Sequence, residues 1–211
     1  MLDTIKKYFG LLTKKRQNEN NRTFFVLLIF SVFSLFASFM LTIDYIAILQ
    51  NPGTKLNCSI NVILNCSTVM QTWQSSLFGF PNTVVGLIAY SVLVTIAVIA
   101  LTGVRLNKTF MVLANLGALG GIIFSEWLAY ESIYVIQVLC PYCLIVLFST
   151  IMIFAAITHY NLRNNNFNFK IKTNNKIQNF LDKEYDKLLV FVWVSILVFS
   201  ILSKFGMDLF A

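Results

Sequence analysis

Long apolar stretches without charged side chains dominate the pattern of hydrophobic and polar positions along the chain. Five such stretches contain 16 to 22 residues each and cover residues 24–43, 83–104, 109–125, 140–158 and 188–203. A helix that crosses about 30 Å of hydrocarbon needs about 20 mostly apolar residues. The pattern therefore predicts an all-α integral membrane protein with five transmembrane helices, four of them in a bundle and the fifth more peripheral.

The composition agrees with a chain that lies in lipid. Of the 211 residues, 57% are hydrophobic and only 12% are charged, and the mean hydropathy is +0.74. Soluble domains carry about 25% charged residues, so this chain has too few charges to cover a globular surface in water. The composition excludes an ordinary soluble enzyme, a disordered protein and a nucleic-acid binder that uses the +7 net charge as its surface.

The positions of lysine and arginine predict the orientation of the helices. Of the 16 basic residues, 14 lie in segments 1–23, 105–108 and 161–187, which share one side of the membrane, and only Lys55 and Lys204 lie on the other. Basic residues accumulate on the cytoplasmic side of membrane proteins. We therefore expect a cytoplasmic N-terminus and an outer C-terminus in a bacterial cytoplasmic membrane.

These patterns divide the chain into four parts. Residues 1–23 form a basic cytoplasmic N-terminus, and residues 24–160 form the four-helix domain, whose outer loop spans residues 50–82. Residues 161–187 are polar and rich in asparagine, and we expect a flexible cytoplasmic linker there. Residues 188–211 contain the fifth helix and the outer C-terminus.

Two weaker patterns concern helix packing. Gly117 and Gly121 form a GxxxG motif in the third apolar stretch, which is typical of close contact between helices. In the outer loop, apolar residues recur at steps of three and four, which predicts that part of the loop is a helix on the membrane surface; they are Val62, Cys66, Val69, Trp73 and Leu77.

All four cysteines fall on the predicted outer side, where disulfides can form. Cys58 and Cys66 lie in the outer loop, and Cys140 and Cys143 begin the fourth helix. Proline is favoured at the first helical position, so Pro141 makes Cys140 the cap residue. A cap residue faces the positive end of the helix dipole, which stabilises a thiolate. Cys143 lies one turn deeper on the same face, which suits a reversible disulfide.

The spacing of Cys58 and Cys66 restricts how they can pair. Eight residues of continuous helix would separate their Cα atoms by about 12 Å, whereas a disulfide needs roughly 4.4–6.8 Å. If these two cysteines pair, the chain between them must leave the helical conformation. Two adjacent pairs could relay electrons, because thiol–disulfide exchange proceeds by direct contact between sulfur atoms. Two structural disulfides are the alternative.

Four motifs in this order resemble the vitamin K epoxide reductase family, specifically its bacterial homologues. The motifs are Cys58-x7-Cys66, Phe80-Pro81-Asn82, Ser125-x14-Cys140 and Cys140-x2-Cys143, and the resemblance covers about residues 24–160. DsbB-type disulfide generators use a similar relay, but their two cysteine pairs occur in the reverse order.

The resemblance implies a role for each cysteine. Cys58 would exchange with a thioredoxin-like, DsbA-like partner, and Cys66 would form a transient bridge to Cys140. Cys143 would pass electrons to a membrane quinone, either ubiquinone or menaquinone. In many bacterial members a thioredoxin-like domain follows the fifth helix. This sequence ends at Ala211, so we expect the partner to be a separate protein on the outer side.

The resemblance also implies residues that bind the quinone. Asn82 matches an asparagine that hydrogen-bonds a quinone oxygen, and Thr72 matches a serine or threonine near the site. In the animal enzymes a tyrosine four residues after the second CxxC cysteine supplies another hydrogen bond. Leu147 stands at that position here. This difference favours simple quinone reduction over epoxide chemistry.

Three carboxylates near the outer membrane surface are candidates for proton handling: Asp44, Glu126 and Glu131. Ionisable residues in membrane helices often have functional roles, although hydration at the interface would also explain these three, and the sequence favours none of them. Zinc would accept four thiolate ligands, but an oxidising compartment argues against a metal site. His159 is the only histidine, and we expect it at the cytoplasmic end of the fourth helix, far from the cysteines.

The sequence therefore predicts a quinone-dependent thiol oxidoreductase that supports disulfide formation. A quinone is a suitable acceptor, because DsbA-like oxidants have potentials of about −120 mV and only a more oxidising group can reoxidise them. The alternative is a non-enzymatic membrane assembly or transport subunit with two structural disulfides.

Overall fold

A computed structural model describes residues 2–206 except Pro52, Lys55 and Asn57, and describes only the backbone of residues 2–15. The predicted outer C-terminus at 207–211 lies outside the described residues. Within the described part, seven α-helices follow one another: α1 Leu2–Gln50, α2 Cys66–Met70, α3 Asn82–Leu101, α4 Lys108–Tyr130, α5 Pro141–Arg163, α6 Ile171–Asp182 and α7 Tyr185–Phe205.

Five of the helices are long and apolar enough to cross a membrane, which confirms the predicted all-α membrane fold. They are the Arg16–Gln50 part of α1, then α3, α4 with its extension to Ile136, α5 and α7. Helices α1, α3, α4 and α5 pack into a bundle. Only 6% of the apolar window in α7 is buried, against 39% in α1 and α5, so α7 is the peripheral helix.

Small residues let α1 approach α3 closely. A Cβ atom on Gly86 would lie 2.6 Å from Ser38 Oγ, so any side chain there would force Ser38 to shift. Ser34 and Ser31, one and two turns earlier on α1, are also fully buried. In a membrane the hydrophobic effect does not drive helices together, and small residues instead allow close van der Waals packing between them. The tighter approach between helices thus occurs at Gly86 in α3, outside the GxxxG motif of α4, of which Gly121 faces Thr150 of α5.

Polar bonds between helices complete the bundle. The Tyr90 hydroxyl on α3 lies 2.8 Å from Thr150 Oγ1 on α5, and Asn115 Nδ2 on α4 donates to Thr158 Oγ1 on α5 at 2.8 Å. Asn161 of α5 is fully buried and donates to the backbone oxygen of Met111. Such bonds satisfy polar groups that would otherwise face hydrocarbon.

The asparagine-rich linker contains a helix that the sequence analysis did not predict. Helix α6 packs against the end of α5, where Arg163 donates to Glu19 Oε2 at 2.9 Å and to Asp182 Oδ1 at 2.6 Å. Gln178 Nε2 also donates to the backbone oxygen of Leu162. The expectation of a flexible linker is corrected by these contacts, since they fix the segment to α1 and α5.

Candidate functional site

The loop after α1 carries a disulfide between Cys58 and Cys66, whose Cα atoms are 5.7 Å apart. The chain between them leaves the helical conformation, as the spacing requires. Asn61 makes the turn, because its Oδ1 accepts from the backbone N–H groups of Ile63 at 3.0 Å and Leu64 at 2.7 Å. The predicted loop helix is correspondingly short. It comprises α2 and a 3-10 turn at Trp73–Ser76, and the region around Val62 is not helical.

Cys140 caps α5, as Pro141 predicts. The backbone of Cys140 is extended, and its sulfur accepts a hydrogen bond from the backbone N–H of Cys143 at 3.3 Å. Both cysteines carry free thiols. The cap bond holds Cys140 Sγ at the N-terminal end of α5, next to the backbone of Cys143.

A short piece of parallel backbone pairing brings the two cysteine pairs together. The N–H of Leu139 donates to the oxygen of Ile63 at 2.7 Å, and the N–H of Asn65 donates to the oxygen of Leu139 at 2.9 Å. Cys66 directly follows Asn65 in the sequence, and Cys140 directly follows Leu139. As a result Cys140 Sγ lies 3.4 Å from Cys66 Sγ, and the exposed fractions are 1% and 0%.

The chain leaves α4 through an irregular segment, which places Leu139 beside the loop backbone with which it pairs. Helix α4 continues as a π-helix over Glu131–Ile136 and ends at Gln137, whose φ of 57° lies in the left-handed region. Ser132 Oγ then donates to the backbone oxygen of Val138 at 2.5 Å. Single π-helical turns often occur at functional sites. Here the turn directs the chain toward the loop that carries the disulfide.

An apolar cavity of about 430 Å³ opens between α1, α3, α4 and α5 next to the second cysteine pair. Its volume suits a small organic molecule. Cys140 and Cys143 both line it, and the Cys143 side chain is exposed to it. Gly117 and Gly121 also line the cavity, and a Cβ atom on Gly117 would meet nothing within 4 Å. Gly117 therefore leaves open space in the cavity, whereas a Cβ atom on Gly121 would lie 3.8 Å from Thr150 Cγ2 of α5.

A few polar groups lie at one edge of this apolar cavity. Gln74 Nε2 donates to Glu131 Oε2 at 3.1 Å. Asn82 Nδ2 donates to the backbone oxygen of Gln74 at 2.6 Å, and Asn82 Oδ1 accepts from the N–H of Leu77. All three polar side chains line the cavity, as does Leu147. Asn82 therefore fixes the loop against α3, while the second N–H of its amide nitrogen is not used by the bond to Gln74.

Thr72 occupies a different place from Asn82. Its hydroxyl donates to the backbone oxygen of Val69 at 2.7 Å, just before the 3-10 turn. Thr72 does not belong to the residues that line the cavity in the described part of the chain. The structure thus packs the loop disulfide against Cys140, places Cys140, Cys143 and Asn82 along the cavity, and leaves Thr72 in the adjoining loop.

The three candidate carboxylates have three different partners. Asp44 Oδ2 lies 3.4 Å from Cys58 Sγ, and Glu131 accepts from Gln74 at the cavity. Glu126 accepts from Trp193 Nε1 at 3.0 Å, which ties α4 to the peripheral helix α7.

His159 is paired with Asp186 of α7 at 2.6 Å. The described residues contain no cluster of three or more His, Cys, Asp or Glu that could hold a metal ion.

Aromatic side chains attach the outer loop to α4. Trp73 packs against Trp127 with ring centroids 6.1 Å apart, and Trp127 packs against Phe124 at 6.0 Å. Phe78 packs against Phe124 at 5.9 Å. Phe124 also lines the cavity, so this aromatic group borders the cavity through Phe124. Trp73 and Trp127 do not line the cavity themselves, which agrees with anchoring as their role.

The sequence analysis missed Gln74 at the cavity and the residues that align the two cysteine pairs, namely Ile63, Asn65 and Leu139. These three residues pair through backbone N–H and C=O groups, which every residue except proline possesses, so no side-chain pattern marks them. Gln74 is a polar residue that is only 5% exposed, and its partner lies 57 residues away.

A disulfide in contact with a second cysteine pair, at one end of a transmembrane bundle, defines a membrane thiol–disulfide oxidoreductase. The family model described as "Vitamin K epoxide reductase family" matches residues 25–158, more than half of the chain. The chain belongs to this family, which confirms the resemblance carried by the cysteine motifs. No individual curated protein matches the chain significantly.

Proposed function

We propose that the protein reoxidises a thioredoxin-like, DsbA-like partner on the outer side of a bacterial cytoplasmic membrane and passes the electrons to a quinone. The partner would be a separate protein. Electrons would enter at Cys58–Cys66, move through a transient Cys66–Cys140 disulfide, and leave from Cys143. The distribution of basic residues supports a cytoplasmic N-terminus with the cysteines outside.

The observation that carries this proposal is the 3.4 Å contact between Cys140 Sγ and Cys66 Sγ. Exchange requires a sulfur to attack a disulfide directly, and these two atoms are already adjacent. Cys58 is only 4% exposed. A partner therefore has to displace part of the loop to reach Cys58, whereas the cap residue Cys140 is fixed by α5.

The cavity supports a quinone as the electron acceptor. Its apolar lining suits a quinone ring and tail, and the Cys143 thiol is exposed to it. A bound quinone would accept two electrons and two protons. The free N–H of Asn82 is suited to donate to one quinone oxygen, and Leu147 offers no second donor.

A membrane assembly or transport subunit with two structural disulfides remains the alternative. The free thiols of Cys140 and Cys143 favour exchange over this static role. A buried thiol in contact with a disulfide is a reactive arrangement, because formation of a bond between Cys66 and Cys140 needs sulfur movement of only about 1.4 Å to reach a length near 2.05 Å.

Purified protein in lipid nanodiscs tests the proposal. The assay supplies a reduced DsbA-like protein with ubiquinone-1 or a soluble menaquinone analogue, and measures quinol formation together with partner thiols. We expect quinol and oxidised partner in equal amounts, and a loss of at least about 100-fold in Cys143→Ala. Ser195→Ala on the peripheral helix is the control, with unchanged turnover. Wild-type protein that reduces neither quinone would contradict the proposal.

A further inference from the structure

A carboxylate contacts the sulfur at which electrons would enter. Asp44 Oδ2 lies 3.4 Å from Cys58 Sγ, across 14 residues of sequence. Asp44 is half-buried on α1, and Leu41 and Ile48 flank it at helical spacing. Both neighbours are buried in the same cluster as Cys58, Cys66 and Cys140, so α1 holds the carboxyl group against the disulfide.

The chemistry of this contact depends on where one proton lies. Cys58 Sγ carries no hydrogen when it is bonded to Cys66. A hydrogen bond at this position then requires a protonated carboxyl group that donates to sulfur. When Cys58 is a thiol, the S–H can instead donate to an ionised Asp44. The contact is therefore favourable in both redox states if the proton moves between the two side chains.

The other described carboxylates do not have this arrangement. Glu131 is bonded to Gln74, and Glu126 to Trp193. Glu19, Asp182, Glu184 and Asp186 are paired with basic residues on α5 and α7, away from the cysteines. Among the carboxylates whose side chains the structure describes, Asp44 is the one within hydrogen-bond distance of a cysteine sulfur.

We propose that Asp44 is a catalytic residue that accepts and returns the proton of Cys58 during exchange between the two cysteine pairs. This inference rests on the proposed function. The Cys66 thiolate attacks Cys140 in the Cys140–Cys143 disulfide, and Cys143 leaves as a thiolate. Asp44 then takes the proton of Cys58, whose thiolate attacks Cys66 and releases Cys140. The loop pair loses two electrons, which the second pair gains.

The proton returns in the other half of the cycle. A partner thiolate attacks Cys58 and releases the Cys66 thiolate, so a mixed disulfide joins Cys58 to the partner. The second partner thiol then loses its proton to water, and its thiolate attacks the partner's own sulfur in that bond, so that Cys58 leaves as a thiolate. The protonated Asp44 delivers its proton to this leaving group. Asp44 ends each cycle ionised and ready to accept the proton again.

Single-turnover reduction of quinone isolates the proposed step. Fully reduced protein holds two dithiol pairs, so it yields two equivalents of quinol with excess ubiquinone-1. The first equivalent needs only Cys140 and Cys143, whereas the second needs transfer from the loop pair. We expect Asp44→Asn to slow the second phase by roughly 100-fold and to leave the first unchanged, which also shows that the variant folds. Asp182→Asn, at the opposite end of the bundle, should alter neither phase.

The phases distinguish the two proposals. Absence of both phases in the wild type would overturn the proposed function, while equal second phases in wild type and Asp44→Asn would overturn the role of Asp44 alone.

A second readout separates proton transfer from packing. In a Cys66→Ala background, removing the negative charge beside Cys58 should raise its alkylation by iodoacetamide at pH 7 several-fold. A slow second phase in Asp44→Asn together with unchanged alkylation of Cys58 would show that Asp44 acts only through packing, and would overturn the proposal.

Discussion

The sulfur of Cys140 contacts the sulfur of Cys66 at 3.4 Å while it also accepts the backbone N–H of Cys143 at 3.3 Å. Cys140 Sγ therefore lies next to the sulfur of Cys66 on the loop and next to the backbone of Cys143 on α5. We expect this sulfur to bond alternately to Cys143 and to Cys66, with movement of side chains and of the loop.

This geometry predicts which intermediate accumulates when one thiol is removed. In Cys143→Ala, the thiol that resolves the bridge from Cys66 to Cys140 is absent, so this bridge should be trapped. Mass spectrometry of the thiol-blocked protein should find Cys66 joined to Cys140 in most molecules. Cys140 joined to Cys58, or free, would contradict the proposed order of transfer.

The backbone pairing at Leu139 should control the rate of transfer between the pairs. Leu139→Pro removes the N–H that donates to Ile63, so Cys66 should lose its position beside Cys140. We expect the second quinol equivalent to slow by at least about tenfold, since an oriented reaction loses much of its rate when reactants are misplaced. Leu139→Ala keeps the N–H and removes the buried side chain, so it separates pairing from packing. Equal slowing in both variants would assign the effect to packing.

The transmembrane helices could be predicted because their signal is local. Each apolar stretch matches an observed helix to within a few residues at most ends, and Pro141 identified the cap residue Cys140. The contact between Cys66 and Cys140 has no such local signal, because 74 residues separate them and backbone atoms align them. The resemblance to a family supplied that bridge, and the residues alone left it open.

Helix α6 and the glycines show how a local pattern can mislead. Asparagine is a weak helix former, so the asparagine-rich segment resembled a linker, although contacts from Arg163 and Gln178 stabilise α6. Gly117 and Gly121 have the spacing of a packing motif, but a neighbouring helix does not approach Gly117. The spacing alone does not reveal whether small residues admit a helix or leave a cavity.

The predicted orientation can be tested with single cysteines in a variant that lacks the four native ones. Ile60 is 68% exposed in the outer loop, and Asn175 is exposed on α6. A membrane-impermeant maleimide applied to intact spheroplasts should label Ile60→Cys and should label Asn175→Cys only after lysis. The reverse pattern would place the cysteine pairs in the cytoplasm and exclude an outer partner.

The glycines of α4 offer a direct test of the cavity as the quinone site. Gly117 lines the cavity with open space where a side chain would stand. Gly120, three residues on, does not line the cavity, and a Cβ atom there would also meet nothing within 4 Å. Leucine at either position should therefore fit a membrane helix. We expect Gly117→Leu to fill the cavity and raise the KM for ubiquinone-1 by at least about tenfold, because a ring cannot share volume with a leucine side chain.

The matched variant Gly120→Leu should leave the KM within about twofold of wild type, because an added apolar side chain outside the cavity changes little in lipid. Trapping of the Cys66–Cys140 bridge should be the same in both glycine variants when each is combined with Cys143→Ala, since neither glycine contacts the sulfur atoms. A normal KM in Gly117→Leu would move the quinone site away from this cavity. A raised KM in both variants would instead indicate a general effect of leucine on α4.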